Sequence, residues 1–142
     1  MNQEGTEHKK NFWLVKFAPF RTNWAEIIMA GTFTLRGVRN STSCKHLRSM
    51  RLGDPVFFYQ SQQNQAIVGL MEVTREAYPD PTSADTHWLT CDFAPIQTLP
   101  RPVTLGMIRE EPPLRNLGLI RSPRLAVMPV SPSEFDLIGS LT

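Results

Sequence analysis

A chain of 142 residues, 41% hydrophobic and 20% charged, is sized for one domain with one real core, which excludes two packed domains and a disordered polyelectrolyte. No apolar run is long enough to span a bilayer and the amino terminus lacks the cationic start and apolar stretch of a leader, so a cytoplasmic protein is expected, with Cys44 and Cys91 as reduced thiols. The net charge of +2 excludes no partner, but it is polarised: Ile27 to Gly53 holds no acid and carries Arg36, Arg39, Lys45, Arg48 and Arg51, while the acids concentrate from Glu72 onward.

Residues 1–10 are polar and charged without periodicity and are expected to form a disordered tail, with the domain running from 11 to 142. Phe12 to Phe17, aromatic and β-branched, predicts a strand ending near Pro19. Asn23 and Glu26 are spaced as a capping box, and the helix they open stops at Gly31. Gly37 to Asn40 reads as a turn or short extended piece. A second helix is predicted from about Thr42 to Arg51, with Cys44, Leu47 and Met50 at three-residue steps and Gly53 ending it. Val56 to Ser61 and Ala66 to Arg75 read as a hairpin across the polar loop Gln62 to Gln65. Trp88 to Phe93 predicts a further strand, Thr104 to Arg109 a short helix and Arg124 to Val130 a last strand. Ser131, Pro132 and Glu134 have the chemistry to open a terminal helix through Ile138. Strands interleaved with short helices predict an α+β domain whose sheet curls into a small barrel.

Several chemistries are missing. His8, His46 and His87 are scattered, and the one close soft pair, Cys44 with His46, lacks the second pair of a zinc site, so no metal is expected. No phosphate-binding glycine loop, nucleophile elbow or metalloprotease signature occurs. Asp80 and Asp85 flank a proline-rich turn, where carboxylates are usually solvated. With no assembled catalytic constellation and no cofactor motif, a binding module outranks an enzyme.

One set of segments, taken in order, resembles a known family. Phe12-Trp13-Leu14-Val15-Lys16, Gly37-Val38-Arg39-Asn40, Leu47-Arg48-Ser49-Met50, Gly53 to Tyr59, Ile67-Val68-Gly69, Arg75 to Thr82, Pro102 to Leu105 and Arg124 to Val127 are similar to successive segments of the EVE domain, a relative of YTH and PUA domains. No single segment carries the resemblance; their order over residues 12 to 138 does. It implies a PUA-like twisted β-barrel flanked by short helices, without catalysis. Its implied ligand is a nucleobase, with C5-modified cytosine in DNA the associated class. A modified base must leave its stack to be enclosed, a cost offset by planar contacts and edge hydrogen bonds. The alternatives are a PUA-like RNA-binding module without modified-base specificity and, from another class, an RNA- or DNA-modification enzyme.

Five positions depart from the family's usual pattern: Phe17 stands where Ser is common, Leu35 where Trp is, Ser41 where Tyr is, and Ser122-Pro123 where Gln-Ser is. Each aromatic lost removes stacking worth about 1–3 kcal/mol. The resemblance and the residues together nominate Phe17, Leu35, Val38, Arg39, Asn40, Tyr59, Ser61, Ser122 and Arg124 as ligand-binding, and Arg36, Lys45 and Arg48 as contacts to the nucleic-acid backbone. For Asn40 two roles stay open, an amide on a base edge or a helix cap. Tyr59 is equally a core residue with a satisfied hydroxyl. Lys45 and Arg48, three apart on a helix face, suit phosphates or plain solvation. Arg39 and Arg124 suit either a phosphate or a structural acid.

Overall fold

The computed structural model describes residues 10–18, 21–62 and 64–142. The expected tail over residues 1–10 therefore falls, save for Lys10, outside the described residues, as does Pro19. Strand β1 (Phe12–Phe17) lies beside β3 (Pro55–Gln60) in parallel and β6 (Val127–Val130) in antiparallel register. Helix α1 (Trp24–Ala30) begins at the expected capping box: Asn23 Oδ1 accepts the Glu26 N–H at 2.9 Å and Glu26 Oε1 accepts the Asn23 N–H at 3.0 Å. It ends at Gly31 with φ of 74°. The short strand β2 (Phe33–Thr34) follows, then α2 (Ser41–Ser49), whose N-cap is Asn40.

The long strands β4 (Ala66–Pro79) and β5 (Leu89–Thr104) form a bulged antiparallel pair. After them come α3 (Leu105–Arg109), a single 3-10 turn at Pro112–Leu114, α4 (Gly118–Arg121), β6 and α5 (Pro132–Leu141), the last capped by Ser131 and Glu134. The strands make one six-stranded sheet in the order β2-β5-β4-β3-β1-β6. Among the described residues the ladder does not close, with β2 and β6 at its ends, while the α+β class is as expected. Curvature is nevertheless present: α2 packs on β4, β5 and β6, which stand well apart in the sheet order, so the sheet wraps around the helix.

Alternation along the strands divides the core. Trp13, Val15, Phe17, Val56 and Phe58 join Leu35, Val38, Cys44, Leu47 and Met50 in one cluster, while Leu14, Phe57 and Tyr59 face a second cluster with Ile108, Leu114 and Ile138. The buried Asp54 ties the start of β1 to the turn before β3, accepting from the Trp13 indole N–H at 2.9 Å and the Arg51 N–H at 2.9 Å. That turn, with Gly53 at φ of 84°, follows a helix that already ends at Met50 in extended backbone. The helix stop thus lies three residues before the predicted glycine.

Two further boundaries differ from expectation. β5 continues eleven residues past Phe93, through Pro95, Pro100 and Pro102. Beyond Phe93 it pairs only with β4, because β2 covers it solely at Asp92 and Phe93, and a strand open on one side tolerates residues without an N–H. β6 begins at Val127, so Arg124 precedes the strand it was expected to open: the Leu125 N–H donates to the Ser122 carbonyl at 3.0 Å and folds 122–125 into a turn.

Candidate nucleic-acid interface

The chain between β2 and α2 is fixed by one carboxylate. Gly37, with φ of 85°, sits in left-handed backbone that favours glycine. Its N–H donates to Asp80 Oδ2 at 2.8 Å, and Arg39 Nη1 donates to the same oxygen at 3.0 Å. Asp80 Oδ1 accepts from the Thr82 N–H at 2.8 Å and the Thr82 hydroxyl at 2.7 Å. Burial alone would raise this carboxyl's pKa, but the hydrogen bonds from Thr82, Gly37 and Arg39 outweigh it and hold the pKa well below the aspartate range. Asp80 is buried, not solvated as its loop composition suggests. The Arg39 guanidinium also lies 5.8 Å from the Trp88 ring centroid.

The turn so held forms one wall of a cavity of about 230 Å³, closed by the end of β1 and the turn before β6. Its described lining carries five cations, Lys16, Arg21, Arg36, Arg39 and Arg124, and no acid. It also has no histidine, cysteine, serine or threonine, so neither a nucleophile–base pair nor a metal-ligand set projects from it. Burial pulls the Lys16 pKa down, and its ammonium donates to the Pro123 carbonyl. The sole ion pair among the described residues is Arg39 with Asp80. Arg36, Arg124 and the α2 cations Lys45 and Arg48 are exposed and have no acid partner among those residues.

Seven of the nominated residues converge here: Phe17, Leu35, Arg36, Val38, Arg39, Asn40 and Arg124. Leu35 is only 1% exposed and belongs to the core cluster beneath the cavity. Asn40 uses Oδ1 to accept the Ser43 N–H at 2.9 Å and cap α2, which leaves its Nδ2 donors for another acceptor. The other ligand-binding nominees lie elsewhere. Tyr59 is 2% exposed in the second core cluster, and burial raises its pKa. Ser61 is half-buried after β3, where its N–H donates to the Phe17 carbonyl at 2.9 Å, and Ser122 caps α4. Lys45 and Arg48 lie outside the cavity on α2, the helix that Asn40 starts, and so continue the basic surface away from it.

Sequence reasoning missed three residues of this site. Lys16 stood inside a quoted motif but received no role. Asp80 was visible as a carboxylate, yet nothing local announced its four donors. Arg21 had no signal at all. Cys44, weighed earlier with His46, is buried, its thiol 3.9 Å from the Val38 carbonyl. Among the described residues no group of His, Cys, Asp or Glu is placed to hold a metal, and no helix is long and apolar enough to cross a membrane. A groove of about 460 Å³ along α1 and β2 adjoins the cavity and shares Phe17, Arg21 and Arg36 with it. A larger one, about 670 Å³, lies by the β3–β4 loop and α3 and contains none of the nominated residues.

Mouse thymocyte nuclear protein 1 is 30% identical over 98% of this chain and 76% of its own length. A protein of Agrobacterium tumefaciens of known structure is 33% identical, with a TM-score of 0.90 over 92% of each chain. The structure of human THYN1 protein in complex with 5-methylcytosine-containing DNA is 26% identical, with a TM-score of 0.79 over 93% of this chain and 97% of that one. The model of the EVE domain matches residues 11–141. The chain belongs to the EVE domain family.

Proposed function

We propose that the protein is a non-catalytic base reader that encloses one flipped or unpaired nucleobase in the cavity beside Gly37–Asn40, with C5-modified cytosine in DNA as its ligand class. The observation that carries the reading is the cavity itself: a small recess with one aromatic, a spare amide on Asn40, five cations and no acid among its described lining residues. A base offers a planar face and a hydrogen-bonding edge, while its flanking phosphates match unpaired arginines. The complex of human THYN1 protein with 5-methylcytosine-containing DNA supports the choice of ligand. In this reading Asn40 Nδ2 donates to the base edge, the aliphatic Val38 and Leu35 give the recess its apolar floor, and Arg36 and Arg124 meet phosphates. Lys45 and Arg48 extend the phosphate contacts along α2.

Fluorescence anisotropy with single-stranded oligonucleotides that differ by one cytosine methyl group tests it. The methylated strand should bind at least several-fold tighter, and free 5-methyl-2′-deoxycytidine should raise the melting temperature by linkage. Equal affinity for both strands would remove the modified-base reading, and preference for an unmodified RNA strand would replace it with the RNA-binding one.

A further inference from the structure

Phe17 is the sole aromatic among the described residues that line the cavity, and its ring is not bare: the Arg21 guanidinium lies over it, 4.8 Å from the centroid. The tip of Arg21 meets the facing backbone, where Nη2 donates to the Arg36 carbonyl at 3.4 Å. A Cβ added at Gly37 would lie 3.1 Å from Nη2, 3.4 Å from Nη1 and 3.7 Å from Cζ. This ordering puts Gly37 off the nitrogen edge of the guanidinium, in line with its plane, so that neither face is covered by Gly37. The guanidinium carbon itself stands over the Phe17 ring. No carboxylate among the described residues pairs with Arg21, and both Arg21 and Phe17 line the cavity and its adjoining groove.

From this arrangement we infer that the Arg21 guanidinium, backed by Phe17, is the planar wall against which the bound base stacks. Guanidinium planes stack on aromatic rings and on bases, and an arginine already laid on a ring has less freedom left to lose when a base arrives. Arg21 is then a reader of the base's face, distinct in role from the arginines that meet phosphates. The inference rests on the base-binding reading above.

Arg21→Lys separates plane from charge, because lysine keeps the cation and lacks the flat group. The probe is 5-methyl-2′-deoxycytidine, which carries no phosphate, titrated into the full chain as wild type, Arg21→Lys and Arg21→Ala. Both variants should lose about tenfold in affinity, near the lower end of the base-stacking scale, at unchanged melting temperature. On the methylated single strand, Arg21→Lys should lose a similar factor with its salt dependence unaltered. Wild-type affinity in Arg21→Lys would reassign Arg21 to charge alone and overturn the inference, as would wild-type affinity in both variants. A wild-type protein that binds neither nucleoside nor strand would defeat the base-binding reading and this inference with it. A wild type that binds, with variants that bind equally well, would defeat the inference alone.

Discussion

Replacing Asp80 by Asn removes the charge that gathers the Gly37–Asn40 turn while nearly preserving shape. In the wild type each carboxylate oxygen accepts two donors, Gly37 N–H with Arg39 on Oδ2 and the two Thr82 donors on Oδ1. Whichever way the amide is placed, its NH2 faces one of these donor pairs and a partly buried hydrogen bond becomes a donor–donor clash, at about 1–3 kcal/mol. The Arg39 contribution is smaller, about 0–1 kcal/mol, because that side chain is 38% exposed. The sum is about 1–4 kcal/mol, or a fall of about 3–16 °C in melting temperature for a domain of this size, and affinity for the methylated strand should fall with it.

The pH dependence has a fixed sign. Folding depresses the Asp80 pKa, so its stabilising contribution is fully present above the ordinary aspartate value of about 3.9 and is lost as pH falls through the lower folded value. The gap between wild type and Asp80→Asn should be flat near neutrality and narrow below about pH 4, where the carboxyl of the unfolded chain takes up a proton while the native one is still charged. Thermal melts by circular dichroism across pH provide the assay. A variant that melts within about 1 °C of wild type at neutral pH, or a gap that widens on acidification, would refute the reasoning.

Leu35→Trp should melt lower by the equivalent of about 1–3 kcal/mol of overpacking and bind the methylated strand no tighter, because Leu35 lies in the core beneath the cavity; titration and melting of the same variant decide. Asn40→Asp should keep the α2 cap and the melting temperature yet lose base affinity, while Asn40→Ala should lose both, with a cap cost of about 1 kcal/mol; calorimetry with parallel melts separates the two roles of this amide. The double change Lys45→Ala with Arg48→Ala should weaken binding to all sequences alike and flatten the dependence of affinity on salt, read by anisotropy over a salt series, with the exposed helix face losing little stability.

Much of the fold was legible because its signals are local. The Asn23 capping box, the Gly31 stop, the Asn40 start of α2 and the Ser131-Pro132 start of α5 each depend on residues within one helical turn, and the structure has all of them. β5 was read too short because proline counts against a strand unless one side is known to be unpaired, and pairing is a tertiary fact. Tyr59 stayed open between ligand contact and core because β3 is buried on both faces, so alternation could not say which face looks toward the cavity. The site divides the same way. Arg36, Val38, Arg39 and Asn40 are neighbours in the chain and were found together, whereas Asp80 and Arg21 reach the turn from 43 and 15 residues away, by hydrogen bonds that no local pattern announces.

Mapping amide chemical shifts while the protein is titrated with a 5-methylcytosine-containing single strand tests the central claim most directly. The account predicts that the largest changes fall on Leu35 to Asn40, on Lys16 and Phe17 and on Arg124 to Ala126, with smaller ones along α2. Changes concentrated on Gln60 to Ala66 and Leu105 to Arg109, around the larger groove, would contradict it, as would a spectrum that does not move.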